Sequence, residues 1–335
     1  EPAASDHGQV AMMLLPDPRD PRTAAAARPV LRRAARLGLK VVASIRPATG
    51  WDMGASDLID RAEGWLSLGA DGVDVGALRP ASPELAAARA LAQHLATRED
   101  ALWCASAASS DEVDIAKALS DGPPPLLRHD RLWQAGWDPH ALRDHITRSA
   151  RGHDTARGPL VWSIFSGAPI SAPRRSTAGV DAAGAHRRFG AATSAMLALP
   201  GVMVIRQGEE VSLPFAHEDD SPGELAAQVS AACEEQRGVP GSPYETYRNA
   251  LRLRADLGLG AGSLSWVQHD ALPPAATFAY LTRDVLVVMV VGEEPVRLPT
   301  RRPVLHSSAP VPEPVENGVQ EVPADTTVWL SLAGV

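Results

Sequence analysis

The residues of this 335-residue chain that could do chemistry are few and dispersed. Glu209 and Glu210 are an adjacent carboxylate pair. Neighbouring side chains point to different sides of an extended segment, so the pair does not form a general acid/base couple. The ten histidines include no H-x-x-x-H or H-E-x-x-H spacing, which leaves no helix-borne metal site to expect. His140 and His145 flank what reads as an ordinary amphipathic helix. Other candidates cluster after apolar runs: Arg46 and Trp51, Asp74, Trp103, then Arg128-His129-Asp130 and Trp133, with Trp137 close behind. Tryptophan faces stack on sugar rings and planar polar neighbours bond hydroxyls, so this set suits a carbohydrate. Each tryptophan can equally be core, and Arg128, His129 and Asp130 can equally be a solvated loop. Asp74 needs a cationic partner such as Arg46 or a hydroxyl-rich ligand. Arg174-Arg175 with Ser176-Thr177 reads as solvated basic surface rather than as an anion reader.

The elements that must position these residues alternate. Val10 to Leu15, Leu39 to Ile45, Gly72 to Leu78, Ala101 to Ala105, Pro125 to His129, Leu160 to Phe165 and Val202 to Arg206 are strand-length apolar runs. Between them lie helix-length stretches: Thr23 to Leu37, Ser56 to Leu68, Ser82 to Ala96, Ser110 to Leu119, Pro139 to Ala150 and Ala182 to Leu199, with a last one over Pro243 to Leu257. Ser56 and Ser82 are N-cap candidates and Gly38 and Gly69 are stop signals. Seven strands alternating with helices predict parallel βαβ units, and that number of repeats favours a TIM-type (β/α) barrel over a doubly wound sheet. After about Gly262 the rhythm changes to short strands separated by Pro, Gly and Asp, which predicts a C-terminal antiparallel β-sandwich. The expected domains are a barrel over 1–258 and a β domain over 259–335.

Composition bounds the partners. With 45% hydrophobic residues the chain can fill a large core, and a formal charge of −8 with scattered Lys and Arg gives no basic stripe for nucleic acid. Cys104 and Cys233 both fall in stretches that read as core, so free thiols are expected. No run approaches the roughly 18 apolar residues of a membrane span. The start at Glu1, without a methionine or a signal peptide, is expected to follow a longer precursor.

Three stretches resemble glycoside hydrolase family 13, the α-amylase superfamily, in particular an actinobacterial α-glucosidase and trehalose-synthase-like branch. Trp65-Leu-Ser-Leu-Gly-Ala-Asp-Gly-Val-Asp-Val-Gly76 is similar to the helix-then-strand-four pattern W-L-x-x-G-x-D-G-F-R-x-D. Leu197 to Pro214 is very close to the strand-eight pattern L-A-L-P-G-x-x-Y-x-Y-Q-G-E-E-L-G-L-P, which places Gln207 beside the site. Tyr244 to Leu257 is similar to the helix that precedes the family's C-terminal β domain.

The resemblance implies a sugar-acting barrel, but the catalytic positions differ. Where the family has an arginine and, two residues on, the nucleophilic aspartate, this chain has Asp74 and Gly76. Ser106 stands where the general acid glutamate should be, and Ser166-Gly167-Ala168 where the stabilising aspartate should be. Ser44, Ala48 and Thr49 replace a further motif, and Met12-Met13 aligns with an Asp-Tyr pair. A retaining glycosidase needs two carboxyl groups, and serine is too weak an acid to replace one. If Val10 to Leu15 is the family's strand two, strand one lies outside the chain or no longer exists, and an open barrel edge needs a cover. The loop domain usually inserted after strand three is expected to be absent too.

The expectation is therefore a pseudoenzyme without catalytic residues, cofactor or metal. It would bind a small disaccharide, trehalose- or maltose-like, through Arg46, Trp51, Asp74, Trp103, Ser106, Arg128, His129, Asp130, Trp133 and Gln207. It would serve as the sensor of a membrane-anchored, anti-sigma-type regulator with this domain outside the cytoplasm. The alternative is a protein–protein scaffold resembling transporter heavy chains, with a protein partner or a second copy at the open edge.

Overall fold

The structure is a computed structural model, which describes residues 10–14, 17–45, 54–98, 101–107, 112–120, 122–129, 136–156, 158–163, 179–205, 208–213, 222–314 and 318–333. Two compact units share the chain: residues 1–129 with 148–161, and residues 130–147 with 162–335.

In the first unit strands and helices alternate: β1 (Val10–Leu14), α1 (Pro21–Arg36), β2 (Lys40–Ser44), α2 (Ala55–Leu68), β3 (Gly72–Leu78), α3 (Pro83–Leu95), β4 (Leu102–Ala107), α4 (Glu112–Ala118) and β5 (Leu126–His129). Adjacent strands pair in parallel and in sequence order, with β1 at one end. They curl as part of a (β/α) barrel wall. Pairing in parallel aligns the pleats, so partnered residues share a face. Val41, Ala43, Ile45, Val73, Val75, Trp103, Ala105 and Leu127 turn toward Leu31, Leu58, Trp65, Leu91 and Ile115 of the helices and form one apolar core. Val42, Ser44, Asp74, Cys104, Ser106 and Arg128 lie on the opposite face.

Local chemistry explains the element ends. Ser82 Oγ accepts a hydrogen bond from Leu85 N, with Pro83 in the first turn, so α3 starts as expected. The N-cap of α2 is Gly54 and not Ser56, and no side chain caps that helix. Gly69 ends α2 with φ 103°, a left-handed conformation suited to glycine.

The second unit holds the first half of α5 (Pro139–Ala156), most of β6 (Val161–Ser163), then α6 (Ala182–Leu197), β7 (Val202–Val204), a 3-10 turn at Glu209–Val211, α7 (Pro222–Gln236) and α8 (Pro243–Asp256). The strands β8 (Ser265–Trp266), β9 (Thr277–Thr282), β10 (Val285–Val290), β11 (Val296–Pro299), β12 (Val304–Ser307), β13 (Val319–Val322) and β14 (Thr326–Ser331) follow. They form a five-stranded sheet, ordered β12-β14-β10-β9-β8, and a β11-β13 pair. The pairings are antiparallel.

The compact units do not part at 258/259, because α6 is bonded to the antiparallel sheet within the second unit. Thr327 Oγ1 donates to Ala191 O at 2.7 Å and Trp329 Nε1 to Ser194 O at 3.0 Å, and Tyr280 OH donates to Ala195 O. Two elements were missed in the sequence. Among its described side chains α7 buries only Val229, so its apolar period is weak. β13 alternates half-buried and buried residues over only four positions. Cys233, expected in core, is half-exposed on α7, while Cys104 is buried; both are free thiols.

His306 on β12 is 4% exposed and packs 4.7 Å from the Trp329 ring. Asn249 Nδ2 of α8 donates to its Nδ1 at 3.4 Å, so Nε2 carries the proton and donates to Ser194 Oγ at 3.0 Å. Burial lowers its pKa from 6.5 to about 4. The folded state therefore holds it neutral while the unfolded chain takes up a proton near 6.5. Its contribution is complete above pH 6.5 and is lost as pH falls toward 4, by about 3 kcal/mol in all. Acid titration of urea stability for His306→Gln should show that slope reduced between those limits; an unchanged slope would refute the assignment.

Candidate functional site

The first motif is mostly fold. Trp65 is fully buried. Asp71 Oδ2 accepts Val41 N at 2.7 Å, fastening the loop before β3 to the start of β2. A Cβ on Gly72 would come within 2.3 Å of Leu102 O on β4, so only glycine lets the two strands close.

The positions that would carry chemistry follow at once. Asp74 is 2% exposed, and Arg128 of β5 is its cationic partner among the described residues: Nη1 lies 3.3 Å from Oδ1. That is ion-pair range, but off hydrogen-bond geometry, since Oδ1 has no hydrogen-bond partner among the described residues. The β3 register shifts between Asp74 and Ala77, and within that shift Gly76 has φ 78°. Glycine adopts that left-handed backbone without the steric penalty a Cβ brings.

Ser106 pairs with Arg128 across β4 and β5 and is 4% exposed. Ser44, the β2 partner of Asp74, is 3% exposed, and its Oγ has no hydrogen-bond partner among the described residues. Burial, with the negative charge of Asp74 adding to it, raises the Cys104 thiol to about 12, so it is neither nucleophile nor ligand. The described face thus gathers two hydroxyls, a thiol and one neutralised carboxylate.

Trp103 belongs to the other face. It is 2% exposed in the core, and its Nε1 donates to Pro123 O at 2.8 Å. Its parity on β4 is opposite to that of Cys104 and Ser106, which takes it off the Asp74 face. Arg46, Trp51, Asp130, Trp133, Gln207 and the His129 side chain lie outside the described residues, as do Ser166 to Ala168 and Arg174-Arg175.

In the second unit the other two motifs bind each other. Tyr247 OH donates to Glu209 Oε1 at 2.6 Å, both buried, and burial reinforced by the Glu209 charge pushes the phenol pKa well up. Arg254 Nη1 donates to Leu199 O at 2.5 Å and Leu197 O at 2.8 Å, and Nη2 donates to Gly201 O. Trp162 Nε1 donates to Pro200 O at 2.6 Å. Glu209 is therefore a structural carboxylate.

Trp137 is half-buried, with Nε1 donating to Asp325 Oδ1 at 2.7 Å and the Arg188 guanidinium 5.4 Å from its ring. Beside it lies an apolar cavity of about 20 Å³, lined by Leu142, Met196, Phe278 and Met289 among others. That is room for one water and far below the roughly 300 Å³ of a small-molecule pocket. No group of three or more potential metal ligands occurs among the described residues.

No family model matches the chain. No curated protein matches it either. Solved structures do. An α-glucosyl transfer enzyme is 15% identical with a TM-score of 0.66, over 92% of this chain and 85% of that one. The debranching enzyme of Nostoc punctiforme is 14% identical with a TM-score of 0.63, over 92% and 79%. A pullulanase from Anoxybacillus sp., solved with maltotetraose, is 14% identical with a TM-score of 0.59, over 95% and 57%. The chain therefore shares the fold of these carbohydrate-acting enzymes, the fold that its resemblance to glycoside hydrolase family 13 implies.

Proposed function

We propose that this chain is a non-catalytic, glycoside-hydrolase-like protein that binds a small α-glucoside, a trehalose- or maltose-sized disaccharide, over the face of β2 to β5 that carries Asp74. The observation behind this reading is the Asp74–Arg128 pair beside the left-handed Gly76. Glycoside hydrolysis takes two carboxyl groups about 5–9.5 Å apart. Asp74 is the one carboxylate on that face among the described residues, and a guanidinium neutralises it. Ser106 stands where the resemblance places the acid, and a hydroxyl cannot protonate a leaving oxygen at neutral pH.

The same residues suit hydroxyl recognition. Ser44 Oγ and Asp74 Oδ1 are buried polar atoms without a hydrogen-bond partner among the described residues. Such atoms gain most from a hydroxyl or a water brought to them. Among structures with this fold, one was solved with maltotetraose and another after an acarbose soak. A receptor gains from lost turnover, because hydrolysis would destroy the molecule it reports. On that ground we assign the chain the sensor role in a larger, membrane-anchored regulator of the anti-sigma type.

Thermal melting with trehalose, maltose, sucrose and their charged derivatives tests this. A ligand at a hundredfold excess over its Kd stabilises the native state by about 2.7 kcal/mol. For a chain of this size that raises Tm by roughly 4 °C. A selective rise, lost in Asp74→Ala, is the expected result. If no sugar moves the midpoint, the scaffold reading replaces this one.

A further inference from the structure

We infer that the exposed face of α1 docks on an anionic lipid bilayer. The 16-residue helix contains five arginines and no acidic residue. Its buried side is Ala27, Leu31 and Ala34. Arg28, Arg32 and Arg36 recur every four residues and so form one stripe on the opposite side. Arg22 and Arg33 flank it, and all five are exposed. The fold thus builds a basic stripe that the scattered Lys and Arg of the sequence did not suggest.

None of the five forms an ion pair with a described residue, whereas Arg19, Arg61, Arg98 and Arg188 each do. The whole chain carries −8, so the rest of it, without these five, stands at −13. An anionic surface therefore attracts this molecule at α1 and repels much of the remainder, which fixes the approach.

The kind of anionic surface follows from what lies beside Arg33. Val30 is 44% and Leu37 65% exposed, two of the few large apolar side chains that the fold leaves in water. They project just past Arg33, across the helix from Arg28 and Arg32, so a helix resting on headgroups with Arg22, Arg33 and Arg36 toward the bilayer would sink them toward the acyl boundary. The row from Arg22 to Arg36 runs about 21 Å, long enough to span adjacent lipid phosphates. A nucleic acid would leave Val30 and Leu37 in water, and α1 has no aromatic residue or amide to stack on or read a base.

Co-sedimentation of the full chain with phosphatidylcholine vesicles, with and without phosphatidylglycerol, tests the inference. Binding is expected only to the phosphatidylglycerol vesicles and is expected to fall at high salt. Each arginine near such a surface contributes about fivefold, so changing Arg22, Arg33 and Arg36 together to Gln should weaken binding about a hundredfold. The matching triple change to Lys should retain most of it. Val30→Ser with Leu37→Ser should weaken it about tenfold at unchanged salt dependence. Because all these positions are exposed, each variant should melt with the wild type. Wild-type chain left in the supernatant, a Gln triple that binds like wild type, or capture by RNA in place of the vesicles would overturn the proposal.

Discussion

Changing Arg128 to Met is expected to destabilise the protein by about 3–5 kcal/mol, because it leaves Asp74 as an uncompensated charge in the interior. The side chains of Arg128 and Asp74 are 12% and 4% exposed, so water cannot take over the role of the lost partner. Cys104 offers no counter-charge, since a thiol is neutral when protonated and anionic when ionised. Removing both charges, as Arg128→Met with Asp74→Leu, should recover most of the loss, because two buried charges and their desolvation disappear together. Urea denaturation of the two single variants and the double variant reads this directly. If Arg128→Met costs less than 1 kcal/mol, the pair is not the buried contact described. The double variant also separates fold from function, since it should stay folded and yet lose any sugar-dependent shift in Tm.

The second large effect is expected at Arg254. Its guanidinium serves three carbonyl groups, those of Leu197, Leu199 and Gly201, where α6 ends and the turn into β7 begins. Burial lowers its pKa, yet it stays charged at any physiological pH. Arg254→Ala strands those carbonyls and should cost about 3 kcal/mol or more. Lysine should restore only part of this, because an ammonium cannot span the three acceptors as the planar fork does. Equal stability of the Ala and Arg proteins in urea would refute this.

These two arginines also explain what could be read in the sequence. The recognisable motifs are those that fasten the fold. Gly72 admits β4, Asp71 holds β2, Tyr247 meets Glu209, and Arg254 closes the Leu197–Gly201 turn. Such contacts are needed whether or not a reaction occurs, so their pattern outlasts the chemistry. The positions for chemistry sit among them and differ, as Asp74, Gly76 and Ser106 do.

The alternation of strands and helices was legible because β2 to β4 are buried on both faces and read as apolar runs. The polar face was less so. Pairing of Arg128 with Asp74 depends on the register of β3, β4 and β5, and no spacing in the sequence encodes it. Trp103 was placed beside the ligand by its position after a strand, but pleat parity turns it into the core. The extent of the second unit was also hidden, because the bonds of Thr327, Trp329 and Tyr280 to α6 join segments more than 80 residues apart.

The most direct test of the account follows the sugar itself. NMR spectra of trehalose and of maltose, recorded over a long incubation with the wild-type protein, report binding through line broadening and turnover through new anomeric signals. The account predicts saturable broadening for one of them, absent with the Asp74→Leu/Arg128→Met protein, and no product at any time. Catalytic release of glucose, or its transfer to another sugar, by the wild-type protein would contradict it.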